Sequence, residues 1–268
     1  MPAVAHVFDD GAGSVHRLDI KRLRQKLAAT GTAPAWQRTD TAEERAVPVP
    51  PALMSLVPGG TLARGTIVSL PHRVAPPIGG GCSYLALALL AGATADGSWV
   101  GAVNYPGFGI AAASGLGAVL SRILLVEAGD RWLEAVHLLA GAVDVVLVPA
   151  PARASDEQQR RVGARVRVTE RQRGCVLLFT GEWPGAHMWM RTEQPVWSGL
   201  GSGTGHLTGR RVTVVAGGRG ANGREREVDV MLPAGDGTLR AGTQESGEFG
   251  EFDLGVPEVG EQPRLRIA

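Results

Sequence analysis

Apolar positions fall into short, dense runs through the middle of the chain. Ile67-Val68-Ser69-Leu70 reads as a buried strand, and the long apolar stretch 84–95 as a helix. Residues 99–104 read as a strand that ends at the turn Tyr105-Pro106-Gly107, and 111–120 as a helix. A strand at 122–126 precedes a helix at 130–140, for which Asp130 is the expected N-cap. Residues 143–148 form an apolar, mostly β-branched run around Asp144, as expected for a parallel strand covered on both faces. A charged helix at 156–172 leads to a buried strand at 176–180. Two further runs, 212–216 and 228–232, are expected at an antiparallel edge. Alternation of this kind predicts an α/β fold, a doubly wound and mostly parallel sheet flanked by helices. There is no internal repeat.

The flanks are different. Residues 14–29 read as an amphipathic helix, with Val15, Leu18, Ile20, Leu23 and Leu27 on one face and Arg17, Lys21, Arg22, Arg24 and Lys26 on the other. Residues 30–50 are polar and proline-bearing and read as a linker. Residues 243–263 hold six acidic side chains and no basic one, with Phe249, Phe252 and Leu254 spaced among them. That composition predicts a disordered acidic tail with apolar anchors. The expected divisions are 1–50, 51–240 and 241–268.

Composition narrows the function classes. A net charge of +1 over 268 residues gives no global basic field for nucleic acid. Cys82 and Cys175 make no disulfide framework and read as buried thiols. The early residues include Asp9 and Asp10 and no apolar run, and 84–95 is too short to span a bilayer. The expectation is a cytoplasmic protein without membrane segments. No His, Cys or carboxylate set has metal-ligand spacing, His187 included, so neither a metal nor a cofactor is expected.

The segment between the strand at 67–70 and the helix at 84–95 carries the most informative chemistry. Its core is Gly79-Gly80-Gly81-Cys82-Ser83. Strand, glycine loop and helix form the scaffold of a phosphate-binding loop, which needs a lysine for the terminal phosphates and a hydroxyl for magnesium. Ser83 offers the hydroxyl, Cys82 stands where the lysine should be, and the chain's two lysines are Lys21 and Lys26.

The blocks Leu62–Val68, Gly79–Ser83, Leu85–Ala91, Leu116-Gly117, Arg122–Val126, Gly141–Val148 and Val176–Thr180 resemble, in order, the ATPase core of the RecA recombinase superfamily over roughly residues 53–232. The resemblance implies a RecA-like sheet. It also locates the missing chemistry. Pro149 stands where an acidic residue should organise magnesium, Asn104-Tyr105 where a general-base glutamate should follow, and Gly181 near the polar sensor position. Two non-hydrolytic branches share that pattern. One is the ImuA-type accessory proteins, which work with a Y-family polymerase-like partner and an error-prone replicative-type polymerase in damage-induced mutagenesis. The other is the SulA-type inhibitors of the tubulin-like division protein. The basic N-terminal segment and long C-terminal extension are more like the first. The implied function is a non-catalytic scaffold in the DNA-damage response. An atypical ATP-binding role, using Ser83 and the amides of Gly79–Gly81, is the remaining alternative.

Three groups are candidates for binding. Trp183, His187, Trp189, Arg191 and Trp197 follow the strand at 176–180 and read as a loop for DNA or a partner, because aromatics beside arginine stack on bases. Packing of these tryptophans on the domain is the competing reading. Arg17, Lys21 and Arg24 form a candidate partner-binding face, with a solvated helix as the alternative. Phe249, Phe252 and Leu254 are candidate anchors in the tail.

Overall fold

The computed structural model describes residues 16–29, 46–71, 82–151, 154–166, 174–201 and 204–242. Twelve strands and five α-helices make up the described part. In chain order these are β1 (His16–Asp19), α1 (Ile20–Ala29), β2 (Ala46–Pro48), β3 (Thr61–Ala63), β4 (Ile67–Leu70), α2 (Cys82–Ala95), β5 (Val100–Val103), α3 (Ile110–Gly115), β6 (Ile123–Glu127), α4 (Trp132–Leu139), β7 (Val145–Pro149), α5 (Asp156–Val166), β8 (Val176–Thr180), β9 (Met188–Gly201), β10 (Thr204–Gly217), β11 (Arg226–Met231) and β12 (Arg240–Ala241).

Ten strands form one sheet, ordered β1-β6-β5-β7-β8-β4-β9-β10-β11-β12; β2 and β3 pair apart from it. From β1 through β9 the pairings are parallel. From β9 through β12 they are antiparallel. The chain is therefore α/β, with the parallel sheet and antiparallel strands that the apolar runs predict.

Burial on both faces explains why the central strands lack polar alternation. In β8, Val176 and Leu178 enter one core while Leu177 and Phe179 enter the other. The first core lies under α2, α3 and the segment 46–62; the second lies under α1, α4 and α5. Gly101 on β5 permits close approach of α4, since a Cβ there would stand 2.9 Å from Leu139 Cδ1.

At the amino ends of these strands, one carboxylate organises the backbone. Asp144 Oδ2 accepts a hydrogen bond from Trp99 N at 2.6 Å, and Oδ1 pairs with the Arg64 guanidinium. Arg64 also donates to Gly174 O at 3.3 Å. The cluster links the residues that lead into β4, β5, β7 and β8. Cys175 lies beside it, and burial pushes its thiol up to about 12 against the opposing pull of Arg64. It is an inert core residue, as its apolar surroundings predict.

Several elements differ from the sequence expectation. The segment 14–29 is not one helix: His16–Asp19 is a strand paired with β6, and Asp19 then caps α1, accepting from Arg22 N at 2.8 Å. Period-2 and period-3.6 patterns coincide over so short a run, and pairing with β6 decides between them. Within the expected linker, 46–48 is strand β2; residues 30–45 lie outside the described set. Asp130 caps nothing, because a 3-10 turn at Gly129–Arg131 precedes α4 and delays the helix to Trp132. The helix expected at 111–120 ends at Gly115, and the charged helix is described to Val166.

Among the described residues no helix is long and apolar enough to cross a membrane.

Two predictions follow from these contacts. Asp144→Ala removes the carboxylate that Arg64 and the Trp99 amide share, so chemical denaturation should show a loss of about 1.5–3 kcal/mol. His137 on α4 is half-buried; burial, reinforced by Arg165, lowers its pKa from the ordinary 6.5. The unfolded chain then takes up a proton that the folded chain resists. Stability should fall as pH drops from 6.5 through the lower folded value. Melting curves at neutral and mildly acidic pH should show a smaller acid loss for His137→Gln than for the parent chain.

Candidate functional site

Chemistry in an open parallel sheet concentrates at the carboxyl ends of the strands, where connections diverge. Here β5 leads through α3 toward β6 on one face, and β7 leads through α5 toward β8 on the other. The crevice between them is the expected binding position. Asn104, Tyr105, Pro149 and Thr180, which border it, are neutral. Asn104 follows β5 with a left-handed φ of 54°. Its Oδ1 accepts from Ala128 N at 2.8 Å and Gly129 N at 2.9 Å, and its Nδ2 donates to Gly129 O at 2.7 Å. The amide is thus committed to holding the turn before α4. Tyr105 reaches across the end of β7 and donates to Thr180 Oγ1 at 2.5 Å. Pro149, level with Thr180, ends β7.

The ends of β4 and β8 are sewn together beside this crevice. Gly181 N donates to Leu70 O at 2.9 Å, and Ser69 Oγ donates to Gly181 O at 2.8 Å. Trp183 N then donates to Ser69 Oγ at 3.1 Å. Gly181 takes a φ of 116°, and a Cβ there would stand 3.0 Å from Ala150 Cβ. This suits glycine both in conformation and in space. The positions that the RecA resemblance assigns to magnesium, base and sensor thus carry a proline, an asparagine–tyrosine pair and a glycine. Their described hydrogen bonds run within the protein.

Of the phosphate-loop residues, Gly79, Gly80 and Gly81 lie outside the described set. Cys82 and Ser83 open α2, the position that a loop-to-helix junction requires. Among the described residues no group of three or more His, Cys, Asp or Glu side chains is placed to hold a metal ion.

The expected aromatic loop is a loop only over 182–187, which holds Trp183 and His187; Trp189, Arg191 and Trp197 lie in a strand. Residues 188–201 form β9, which pairs with β10 as a long hairpin. Glycines 199, 201 and 205 lie within its strands. The five candidate residues are dispersed by this geometry. Trp183 is buried, stacked on Phe179 at 4.0 Å and edge-on to Trp132 at 6.4 Å. His187 docks β9 against β4: its Nδ1 accepts from Ile67 N at 3.0 Å and its N donates to Ile67 O at 2.9 Å. Trp189 lies over Gly217, where a Cβ would be 2.4 Å from its ring. Arg191 stacks on Trp189 at 4.2 Å and pairs with Glu193 at 2.5 Å. Trp197 is the exposed one, at 44%.

Across from Trp197 lies a residue that sequence reasoning passed over. Arg210 on β10 is 2% exposed. Its guanidinium lies 5.3 Å from the Trp197 ring and 5.5 Å from the Tyr84 ring of α2, and its Nε donates to Leu232 O at 2.8 Å. Burial lowers its pKa from the usual arginine range, while Tyr84 opposes that shift. The pair Arg210-Arg211 before an apolar run was the available signal, but it reads as a strand boundary. Leu207, 50% exposed near the hairpin tip, was likewise missed.

On the N-terminal face, Arg24 pairs with Glu134 of α4, and Lys21 is exposed. Arg17 belongs to β1 rather than to a helical face. On α5, Arg161 pairs with Glu157 at 2.5 Å and Arg165 donates to His137 O at 2.9 Å, so these arginines serve the fold's own surface. Phe249, Phe252 and Leu254 lie outside the described residues.

Comparison with known proteins adds two findings. The family model of the MT3502 N-terminal domain matches residues 55–185, which run from the segment before β3 to just past β8. The uncharacterized protein Rv3395c of Mycobacterium tuberculosis is 36% identical over 133 residues, covering 48% of this chain and 60% of that protein. The chain therefore spans about 60% of the length of the curated relative it matches. The match to the family model ends before the β9–β10 hairpin begins.

The dispersal of the tryptophans makes a direct prediction. Trp183→Ala should cost about 3–5 kcal/mol by denaturant unfolding, as for other buried aromatics. Trp197→Ala should cost under about 1 kcal/mol, the scale of an exposed cation–π contact.

Proposed function

We propose that this chain is a non-catalytic, RecA-like accessory protein of the ImuA type. On this reading it recruits a Y-family polymerase-like partner and an error-prone replicative-type polymerase after DNA damage. The observation that carries the reading is the rim of the parallel sheet. A hydrolytic site needs fixed charge aimed at the transferring phosphoryl group and its magnesium. The strand ends at Asn104, Pro149 and Gly181 offer none, and the Tyr105–Thr180 bond spans the crevice where substrate would lie. The order of strand, glycine loop and helix at β4 and α2 supports the RecA-like part of the proposal, as do the antiparallel strands at one side of the sheet.

A chain of this design acts by presenting surfaces. The parallel body is a rigid platform, and the β9–β10 hairpin extends from it with Trp197 and Leu207 exposed. Exposed aromatic and aliphatic anchors on a rigid element suit a protein interface.

Affinity capture from cells before and after DNA damage tests the proposal. The expected result is enrichment, after damage, of a Y-family-like protein or a replicative-type polymerase. Capture of neither would overturn it. Calorimetry and a phosphate-release assay with magnesium–ATP should show no turnover. Turnover that disappears in Ser83→Ala would replace the scaffold reading with an ATPase.

A further inference from the structure

Trp183 is held firmly by its ring and not at all by its polar edge. The residue is 3% exposed. Its ring stacks on Phe179, with centroids 4.0 Å apart and planes within 7° of parallel, and meets Trp132 edge-on at 6.4 Å. These contacts fix the direction of the indole N–H. Among the described residues Nε1 is buried and has no hydrogen-bond partner. Burying a donor away from any acceptor is costly, and native structures seldom do it. The locked ring cannot turn to find another acceptor.

The surroundings show where an acceptor belongs. Gly185 lies two residues on, and it is not among the glycines with positive φ. Backbone conformation therefore does not call for glycine at this position; space does. A Cβ on Gly185 would stand 3.1 Å from Trp183 Nε1, the nearest indole atom, and 3.8 Å from Gln159 Oε1. A donor and a carbonyl acceptor thus border one position that no side chain fills. Gln159 is fixed from its other end, where Nε2 donates to Ala154 O at 3.2 Å. It is half-buried and forms the outer wall, with Trp183 as the inner one.

The walls select the occupant. It has to accept from Nε1 and donate to Oε1, and a hydroxyl does both through one oxygen. A cation is turned away by the indole N–H. An anion meets the Gln159 carbonyl, and Asp156 and Glu157 open the same helix. Trp132, Ala150, Ala154 and Ala186 pack in the same core as Trp183 and Phe179, and their apolar surface disfavours any charge. Trp183 follows β8, Trp132 opens α4, and Gln159 lies near the start of α5. The position is therefore at the carboxyl end of the parallel sheet, where open α/β sheets gather their ligands.

We propose that Trp183 Nε1, Gln159 Oε1 and the bare Cα of Gly185 form a binding position for one neutral hydroxyl oxygen. That oxygen is supplied by a trapped water or by a small alcohol-bearing molecule. The position stands apart from any polymerase partner, whose loss would leave it intact.

The test is NMR on the full chain with nitrogen-15 tryptophan, the Trp183 indole resonance being identified by Trp183→Phe. The expected Trp183 N–H exchanges with solvent far more slowly than that of exposed Trp197, and it cross-relaxes with a bound partner. A peak at the water frequency, opposite in sign between laboratory-frame and rotating-frame spectra, assigns a trapped water. A peak to carbon-bound ligand protons, with an adduct in native mass spectrometry, assigns a small molecule. Gly185→Ala should abolish the peak and move the indole proton upfield. Gln159→Met, at a half-buried position, should weaken the same peak and keeps the test open if Gly185→Ala fails to fold. A parent chain with neither peak would overturn the proposal. So would a Trp183 N–H that exchanges as fast as that of Trp197, or a peak left unchanged in the variants.

Discussion

The structure rests on a parallel sheet whose central strands are covered on both faces. In such strands the side chains supply apolar surface to two cores, and the backbone satisfies itself sideways. The strand ends are the difficulty, because there the ladder stops while burial continues. At the amino ends the burden falls on Asp144 and Arg64, which bind the approaches to β4, β5, β7 and β8 into one cluster. At the carboxyl ends it falls on Ser69, Asn104, Tyr105 and Thr180. Each of these polar groups holds a turn or joins two strands.

That allocation connects stability to function. The carboxyl rim is where a sheet of this kind would bring charged groups to a nucleotide. Here Asn104, Tyr105 and Thr180 are neutral, and the bonds they form are to neighbouring strands and turns. An asparagine that clamps the turn before α4 is not poised to activate water. A tyrosine hydroxyl spanning to Thr180 lies across the crevice instead of lining it. The chain invests its polar chemistry at the rim in rigidity, which suits a platform for other macromolecules. The antiparallel half of the sheet bears the complementary role, since it projects apolar and aromatic surface into solvent.

Both outer strands of the large sheet are short and bear charge. β1 is His16–Asp19, with Arg17 and Asp19 in it, and β12 is Arg240–Ala241. Short charged edges discourage pairing with further chains.

How much of this was legible in the sequence depended on the range of the forces involved. The β4 and β8 strands, the long helix α2 and the parallel alternation could be read directly, because dense β-branched runs and apolar helices are local patterns. The neutral residues at 104, 149 and 181 were legible as well, since strand ends can be located from the runs that precede them. The fate of the tryptophans was not. Trp183, Trp189 and Trp197 look alike in sequence, yet one is stacked in the core, one lies over Gly217, and one stands in solvent over a buried arginine. The register of β9 against β4 and β10 made that distinction, and it also turned a glycine-rich stretch into a paired hairpin. So the sequence by itself determined which segments would be buried and which residue types would stand at the strand ends, because composition and short-range periodicity carry that information. Only the tertiary structure decided which surface faces outward, because strand pairing between residues far apart in the chain sets the direction of every side chain along it.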